Sequence, residues 1–344
     1  MRGQLRALAK YLIQSLSAVL LALLVGAIMM IAEDISPVTA YASLLEGAFG
    51  GKYNVAETLA KASPLLFTGL ATIVAFRASF WNIGAEGQLY IGAIAATWVG
   101  LTFSLPKPLH LALALILGFA AGAAFATLPG VLKARLGVNE ILVTLMMNYI
   151  ATYFVSYLVE GPWRDPSGIT YSPPLPDSAR YPVLLRGTRL HIGIALSVIA
   201  AILVHVLLKR TALGYEMRAV GEGPEAARCS GINVGKVTIL AASISGGLAG
   251  LAGVGEICGI QHRLLGGLSP YYGFLGIIVA LLARLDPVGS IFSALFLGAL
   301  FVGADEMQRA AGVPVTMIYI IQGMILLFLL VGENLESLRE VVRR

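Results

Sequence analysis

The sequence predicts an all-α, polytopic membrane protein of about ten transmembrane helices, and three observations predict it. Of 344 residues, 58% are hydrophobic and 12% are charged, about half the charged share of an average soluble domain. Mean hydropathy is +0.83. Long apolar runs recur without the alternation of a β-barrel strand, and 39 glycines suit helices whose backbones approach closely in lipid. A soluble multidomain enzyme is excluded. The net charge of +5 would suit nucleic acid in a soluble chain; here it reflects basic loops, and no nucleic-acid partner is expected.

The first apolar run, Tyr11 to Ala32, follows Arg2, Arg6 and Lys10. Ala40-Tyr41-Ala42 imitates a signal-peptide cleavage pattern, but a signal's apolar region spans about 7 to 15 residues. This run is longer, so it reads as a first span. Further stretches cover about 64–78, 87–105, 109–132, 141–159, 192–208, 237–257, 273–283, 288–302 and 315–331. The second and eighth are short and abut Gly- and polar-rich sequence, which predicts broken or partly re-entrant helices. An amino terminus placed inside puts 15 of the 24 Lys and Arg in the cytoplasm, the expected bias, and both termini then lie there. The chain reads as one transmembrane domain, 1–344, with its membrane region at about 11–331. Six prolines between Gly161 and Arg189 predict an irregular external cap able to receive a partner. The stretch 36–61 is also external, with a short surface helix. Cys229 and Cys258 fall on opposite sides and should not pair.

Covalent chemistry is not expected on this chain. There is no H-E-x-x-H or G-x-S-x-G, and His110, His191, His205 and His262 have no ligand spacing. Gly231 to Lys236 is one residue short of a Walker A, and Val237 stands where Ser or Thr would hold magnesium. Gly221 to Ala226 imitates G-x-G-x-x-A without a preceding strand. Any ATPase therefore belongs to another subunit.

Polar residues inside apolar segments are costly and mark function by default. Asn82, Glu86 and Gln88 interrupt the break between spans two and three, Asn148 sits in span five, Glu256 and Gln261 follow span seven, and Gln322 sits in span ten. These are the candidate solute-path residues, with Phe80 and Trp81 either gating the path or anchoring a broken helix. Tyr149, Tyr153 and Tyr157 recur at i, i+4 and i+8 beside Asn148. Their rings could stack on a nucleobase, or serve an interfacial belt and helix packing. Gly118, Gly122, Gly246 and Gly250 form small-x-x-x-small faces that are structural.

The loop 209–236 carries Gly214-Tyr215-Glu216-Met217-Arg218-Ala219-Val220-Gly221, then Glu225-Ala226-Ala227 and Gly231. Pro224 can open a short helix, Glu225 suits its positive end, and Gly231 suits a left-handed stop. A short helix flanked by polar loop fits a partner's groove. The pattern G-Y-x-x-R-A-x-G followed by E-A-A-x-x-x-G resembles the coupling region of ABC importer permeases of the branched-chain amino acid and simple sugar superfamily. Phe76 to Gln88 (FRASFWNIGAEGQ) and Gly137 to Tyr149 (GVNEILVTLMMNY) resemble its nucleoside branch, which works with a lipoprotein of the basic membrane protein type. Gly223 departs from the pattern, which has Asn there.

The resemblance implies a multi-pass subunit in a bacterial inner membrane. Its implied partners are a second, paralogous permease, two cytoplasmic ATPase subunits that bind ATP and magnesium, and an external substrate-binding lipoprotein. No cofactor is expected on this chain. Tyr215, Arg218, Gly221, Glu225, Ala226, Ala227 and Gly231 would meet the ATPase. The rival readings are an importer of a ribose-like sugar and an ion-driven secondary transporter.

Overall fold

The computed structural model describes the backbone of residues 2–342 and the side chains of residues 16–314 and 316–332. The expected orientation of both ends rests partly on Arg2, Arg6, Lys10, Arg339, Arg343 and Arg344, whose side chains lie outside the described residues. Among the described residues there are thirteen α-helices: α1 Arg2–Ala32, α2 Pro37–Phe49, α3 Lys52–Arg77, α4 Ala85–Thr102, α5 Lys107–Leu136, α6 Glu140–Glu160, α7 Gly193–Arg210, α8 Ala212–Glu222, α9 Pro224–Cys229, α10 Val234–Glu256, α11 Tyr272–Leu282, α12 Gly289–Ala311 and α13 Val315–Val342. A 3-10 turn covers Asp177–Ala179, and a π-turn, Ile257–Gln261, continues α10. Among the described residues there are two isolated β-bridges and no longer strand. The protein is a multi-pass membrane protein. Each of the ten apolar stretches lies on a helix, and α3, α5, α6, α7, α10 with its π-turn, and α12 are long and apolar enough to cross a bilayer.

Two compact units are formed, Met1–Thr58 with Leu297–Arg344, and Leu59–Phe296. In the first, α1 packs on α13 so closely that a Cβ at Gly26 would lie 2.7 Å from the Ile321 side chain. The Tyr41 hydroxyl of α2 donates to the Leu23 carbonyl at 2.5 Å.

In the second unit, α10 packs along α4 and α5 on glycine. A Cβ at Gly250 would strike the Gly118 carbonyl, one at Gly122 the Gly246 carbonyl, and one at Gly92 the Gly250 backbone. The four glycines of the small-x-x-x-small faces thus meet one another. Removing side chains there lets backbones touch, which is how helices gain van der Waals contact where lipid removes the hydrophobic drive.

Two expectations are corrected. The stretch 64–78 is no broken helix: α3 runs unbroken from Lys52 through Pro64 to Arg77. Pro64 removes one N–H from the ladder, and its turn is buried among neighbouring helices, a setting in which membrane helices tolerate proline. The segment before Pro224 is no polar loop either, since α8 spans 11 residues of it. The eighth stretch is short, as expected, and α11 ends as α3 does. Ser79 (φ 51°) lets Phe80 N–H reach the Ala75 carbonyl, and Arg284 and Leu285 (φ 52° and 56°) let Leu285 N–H reach that of Ala280.

The stretch 161–189 is irregular apart from its 3-10 turn. It is bonded to the segment after α10: Ser172 N–H to the Leu264 carbonyl (2.9 Å), Leu175 N–H to His262 (2.8 Å) and Tyr181 N–H to Cys258 (2.7 Å).

Gly250→Val forces α10 off α5, at a cost of about 3 kcal/mol, and should sharply lower the thermal midpoint of the detergent-solubilised chain. Gly255→Ala, whose added Cβ meets nothing within 4 Å, should leave that midpoint unchanged.

Candidate functional site

In the segment joining α3 to α4, the N–H groups of Trp81, Ile83 and Gly84 bond side chains, outside any helical ladder. Phe80 is fully buried, Trp81 is 48% exposed against Phe76 (ring centroids 4.6 Å), and Asn82 is buried. Buried backbone outside a helix is paired by other groups of the protein. One face of α6 supplies them. Glu140, Thr144 and Asn148 stand at i, i+4 and i+8, so they line up along the helix. Glu140 Oε1 accepts from Trp81 N–H (3.3 Å), Thr144 Oγ1 from Ile83 N–H (3.2 Å), and Asn148 Oδ1 from Gly87 N–H (2.8 Å). Asn148 Nδ2 also donates to the Ile83 carbonyl at 2.9 Å. A Cβ at Gly87 would come within 2.9 Å of Asn148 Cα, so glycine there admits the contact.

Asn82 and Gln88 hold the turn from within. Their amides exchange two hydrogen bonds of 2.9 Å, Asn82 Oδ1 caps Gly84 N–H at 2.9 Å, and Asn82 Nδ2 donates to Ser245 Oγ of α10 at 2.8 Å. Ser245 in turn donates to the Ala71 carbonyl of α3. Lys133, at the end of α5, closes the other end of the segment. Its Nζ lies 2.5 Å from both the Ser79 carbonyl and Glu140 Oε1, and 5.6 Å from the centre of the Phe80 ring.

Glu86 serves a different junction. Its Oε2 accepts from Gly273 N–H at 2.6 Å, in the first turn of α11, where N–H groups lack helical partners. Ser269, which bonds Glu86 and accepts from Tyr272 N–H, and Tyr90, whose hydroxyl accepts from Ser269 N–H, complete that junction. Lys61 Nζ donates to the Tyr272 hydroxyl at 3.0 Å.

Asn82, Glu86, Gln88 and Asn148 each make such bonds within the protein. The tyrosines and Asn148 are also separated. Asn148 is buried, while Tyr149, Tyr153 and Tyr157 are 55%, 70% and 64% exposed on the outer side of α6. Glu256 ends α10, buried, with no partner for Oε1 among the described residues. Gln261 ends the π-turn, half-buried. Gln322 lies in the other unit, buried, with neither amide atom partnered among the described residues. Sequence reasoning missed Glu140, Thr144, Ser245 and Lys133. The i, i+4, i+8 polar face of α6 was the available signal.

The α8–α9 pair forms a second candidate site. Thr211 Oγ1 caps α8 by accepting from Gly214 N–H at 3.1 Å. Arg218 donates to the Leu208 carbonyl, and Tyr215 is exposed. Gly221 sits against the Arg77 carbonyl, where a Cβ would collide, and its own carbonyl accepts from Ser79 Oγ at 3.1 Å. Pro224 opens α9, and Gly231 (φ 83°) closes it as Ile232 N–H returns to the Ala227 carbonyl. Glu225, Ala226, Arg228 and Gly231 are exposed, Ala227 is buried, and Glu225 pairs with Arg228 at 3.0 Å.

The family model described as "Branched-chain amino acid transport system / permease component" matches residues 54–330. The guanosine ABC transporter permease protein NupP of Bacillus subtilis (strain 168) is 39% identical over 322 residues, covering 92% of each chain. The glucose ABC transporter permease protein TsgB13 of Haloferax volcanii is 36% identical over 332 residues, 93% of this chain and 87% of its own. The nucleoside ABC transporter permease protein NupB of Lactococcus lactis subsp. cremoris is 32% identical over 332 residues, 93% of this chain and 91% of its own.

Asn148→Leu strands Gly87 N–H and the Ile83 carbonyl, each at a cost of about 1–3 kcal/mol. The purified chain should unfold at clearly lower temperature, whereas Tyr149→Phe on the neighbouring exposed position should leave the midpoint in place.

Proposed function

The chain belongs to the family of branched-chain amino acid transport system permease components, and from that membership we propose that it is the membrane-spanning subunit of an ABC importer carrying nucleosides or related purine and pyrimidine compounds inward. The identity to the guanosine permease, 39% over nine-tenths of both chains, carries this reading. A glucose permease at 36% favours a second one, the same machine with a sugar as cargo.

In this reading the protein spans a bacterial inner membrane with all ten apolar helical stretches and both termini in the cytoplasm. It works beside a second permease. ATP and magnesium are bound by separate ATPase subunits, which dock on α9 through its exposed Glu225, Ala226 and Arg228 side. A loaded lipoprotein docks on the 161–189 cap. ATP binding favours one orientation of the permease pair, and a partner drives a change only by binding one state better than the other.

Asn82, Gln88 and Asn148 line the solute's surroundings by shaping the turn. Trp81, Tyr149 and Tyr153 are the aromatic groups left exposed to meet a base, stacking on its face while the phenol hydroxyls bond its edge. Glu256 and Gln261 complete the polar set assigned to the path.

Glu225→Lys reverses the charge on the docking face, and Gly231→Pro replaces a left-handed residue with one locked near −65°. Both should abolish uptake of labelled guanosine while the chain still reaches the membrane, and intact uptake in both would sink the docking assignment. Calorimetry on the cognate lipoprotein decides the cargo: tight binding of nucleosides is expected, and binding of glucose or ribose alone would replace them.

A further inference from the structure

α9 turns most of its surface outward and buries only Ala227 among Glu225 to Arg228, so a push on α9 leaves through its neighbours in the chain. α8 is bound to α7 at Gly214, which lies against the Leu207 carbonyl, and at Arg218 on the Leu208 carbonyl. Both contacts are local in sequence. Gly221 is different, because it reaches across more than 140 residues of chain to Arg77 and Ser79.

That contact opens on a continuous chain of bonds. The Ser79 hydroxyl holds the Gly221 carbonyl, and the Ser79 carbonyl is held by Lys133 at 2.5 Å. Lys133 pairs with Glu140, which holds Trp81 N–H. The ends of α3, α5 and α6 therefore meet within four linked residues, and α8 touches that junction at Gly221.

We propose that the Gly221 contact with Arg77 and Ser79 is where movement of the α8–α9 pair reaches the ends of α3, α5 and α6, with Lys133 and Glu140 as positioning residues that make the Phe80–Gly84 turn follow it. This rests on the ATPase docking at α9 proposed above. A glycine is required because any Cβ would wedge α8 away from the Arg77 carbonyl. Gly223, two residues on, supplies the matched control. Its backbone is extended (φ −173°), and an added Cβ would meet only Ala226 Cβ at 3.7 Å.

Trp81 is the reporter, made the sole indole by Trp98→Phe and Trp163→Phe, and is read in the purified chain with no ATPase present. Gly221→Ala should shift its emission maximum and, in cells with the whole transporter, lower nucleoside uptake about tenfold, an ordinary size for coupling between sites. Gly223→Ala should change neither. If Gly221→Ala does not accumulate, Ser79→Ala, which removes only the hydroxyl bond to Gly221, is read the same way. Emission identical in the glycine variants overturns the proposal, as does an emission shift with full uptake. Failure of the unmutated transporter to take up nucleosides would instead overturn the cargo reading, and the emission comparison then decides the contact alone.

Discussion

The turn between α3 and α4 buries peptide groups that no helical ladder pairs, and the structure around it follows from the need to bond them. Burial keeps water from them, and each buried group left unpaired costs about 1–3 kcal/mol. Glu140, Thr144 and Asn148 answer from one face of α6, and Asn82 answers from the turn itself at Gly84 N–H, its amide held by Gln88 of α4. The two motifs around Phe80 and Asn139, 60 residues apart in the chain, are thus the two halves of one arrangement. A buried network of this kind is stable only when every member is satisfied, so its members are bound to one another by geometry as well as by chemistry.

Close packing enforces the same constraint on α10. Its glycines bring it against α4 and α5 at backbone distance, and Ser245 from this helix reaches both Asn82 and the Ala71 carbonyl. A longer side chain at Gly246 or Gly250 would lift α10 and with it the Ser245 hydroxyl. The small-residue stripe and the polar turn are accordingly one structural unit, although they look unrelated in the sequence.

The ten apolar stretches and the short α9 were legible because length, hydropathy, Pro224 and Gly231 are local signals. α8 was not, because Gly214 and Gly221 lower helix propensity and read as loop. Their purpose is to admit the Leu207 and Arg77 carbonyls, contacts that no local pattern reveals. The short second stretch misled too, because the polar residues before it, Glu57, Thr58 and Ser63, are buried within a helix that continues through Pro64. The polar residues at Asn82, Gln88 and Asn148 were found, but their partners were not, because hydrogen-bond partners depend on which helices meet. The tyrosine row was read correctly as one face, yet which way that face turned depended on the opposite face of α6 being committed to the turn.

A polar residue in a membrane helix is a functional candidate because its cost must be repaid somewhere, and the repayment differs among these residues. Asn82, Gln88 and Asn148 recover it inside the fold, by holding a backbone conformation that a straight helix would not need. A fully bonded turn resists local rearrangement, since opening it would leave several buried groups unpaired at about 1–3 kcal/mol each. Packed elements of this kind shift between discrete arrangements and do not deform continuously. The turn, the amino end of α4 and the inner face of α6 are therefore bound into one network, and Gly221 is where α8 touches it.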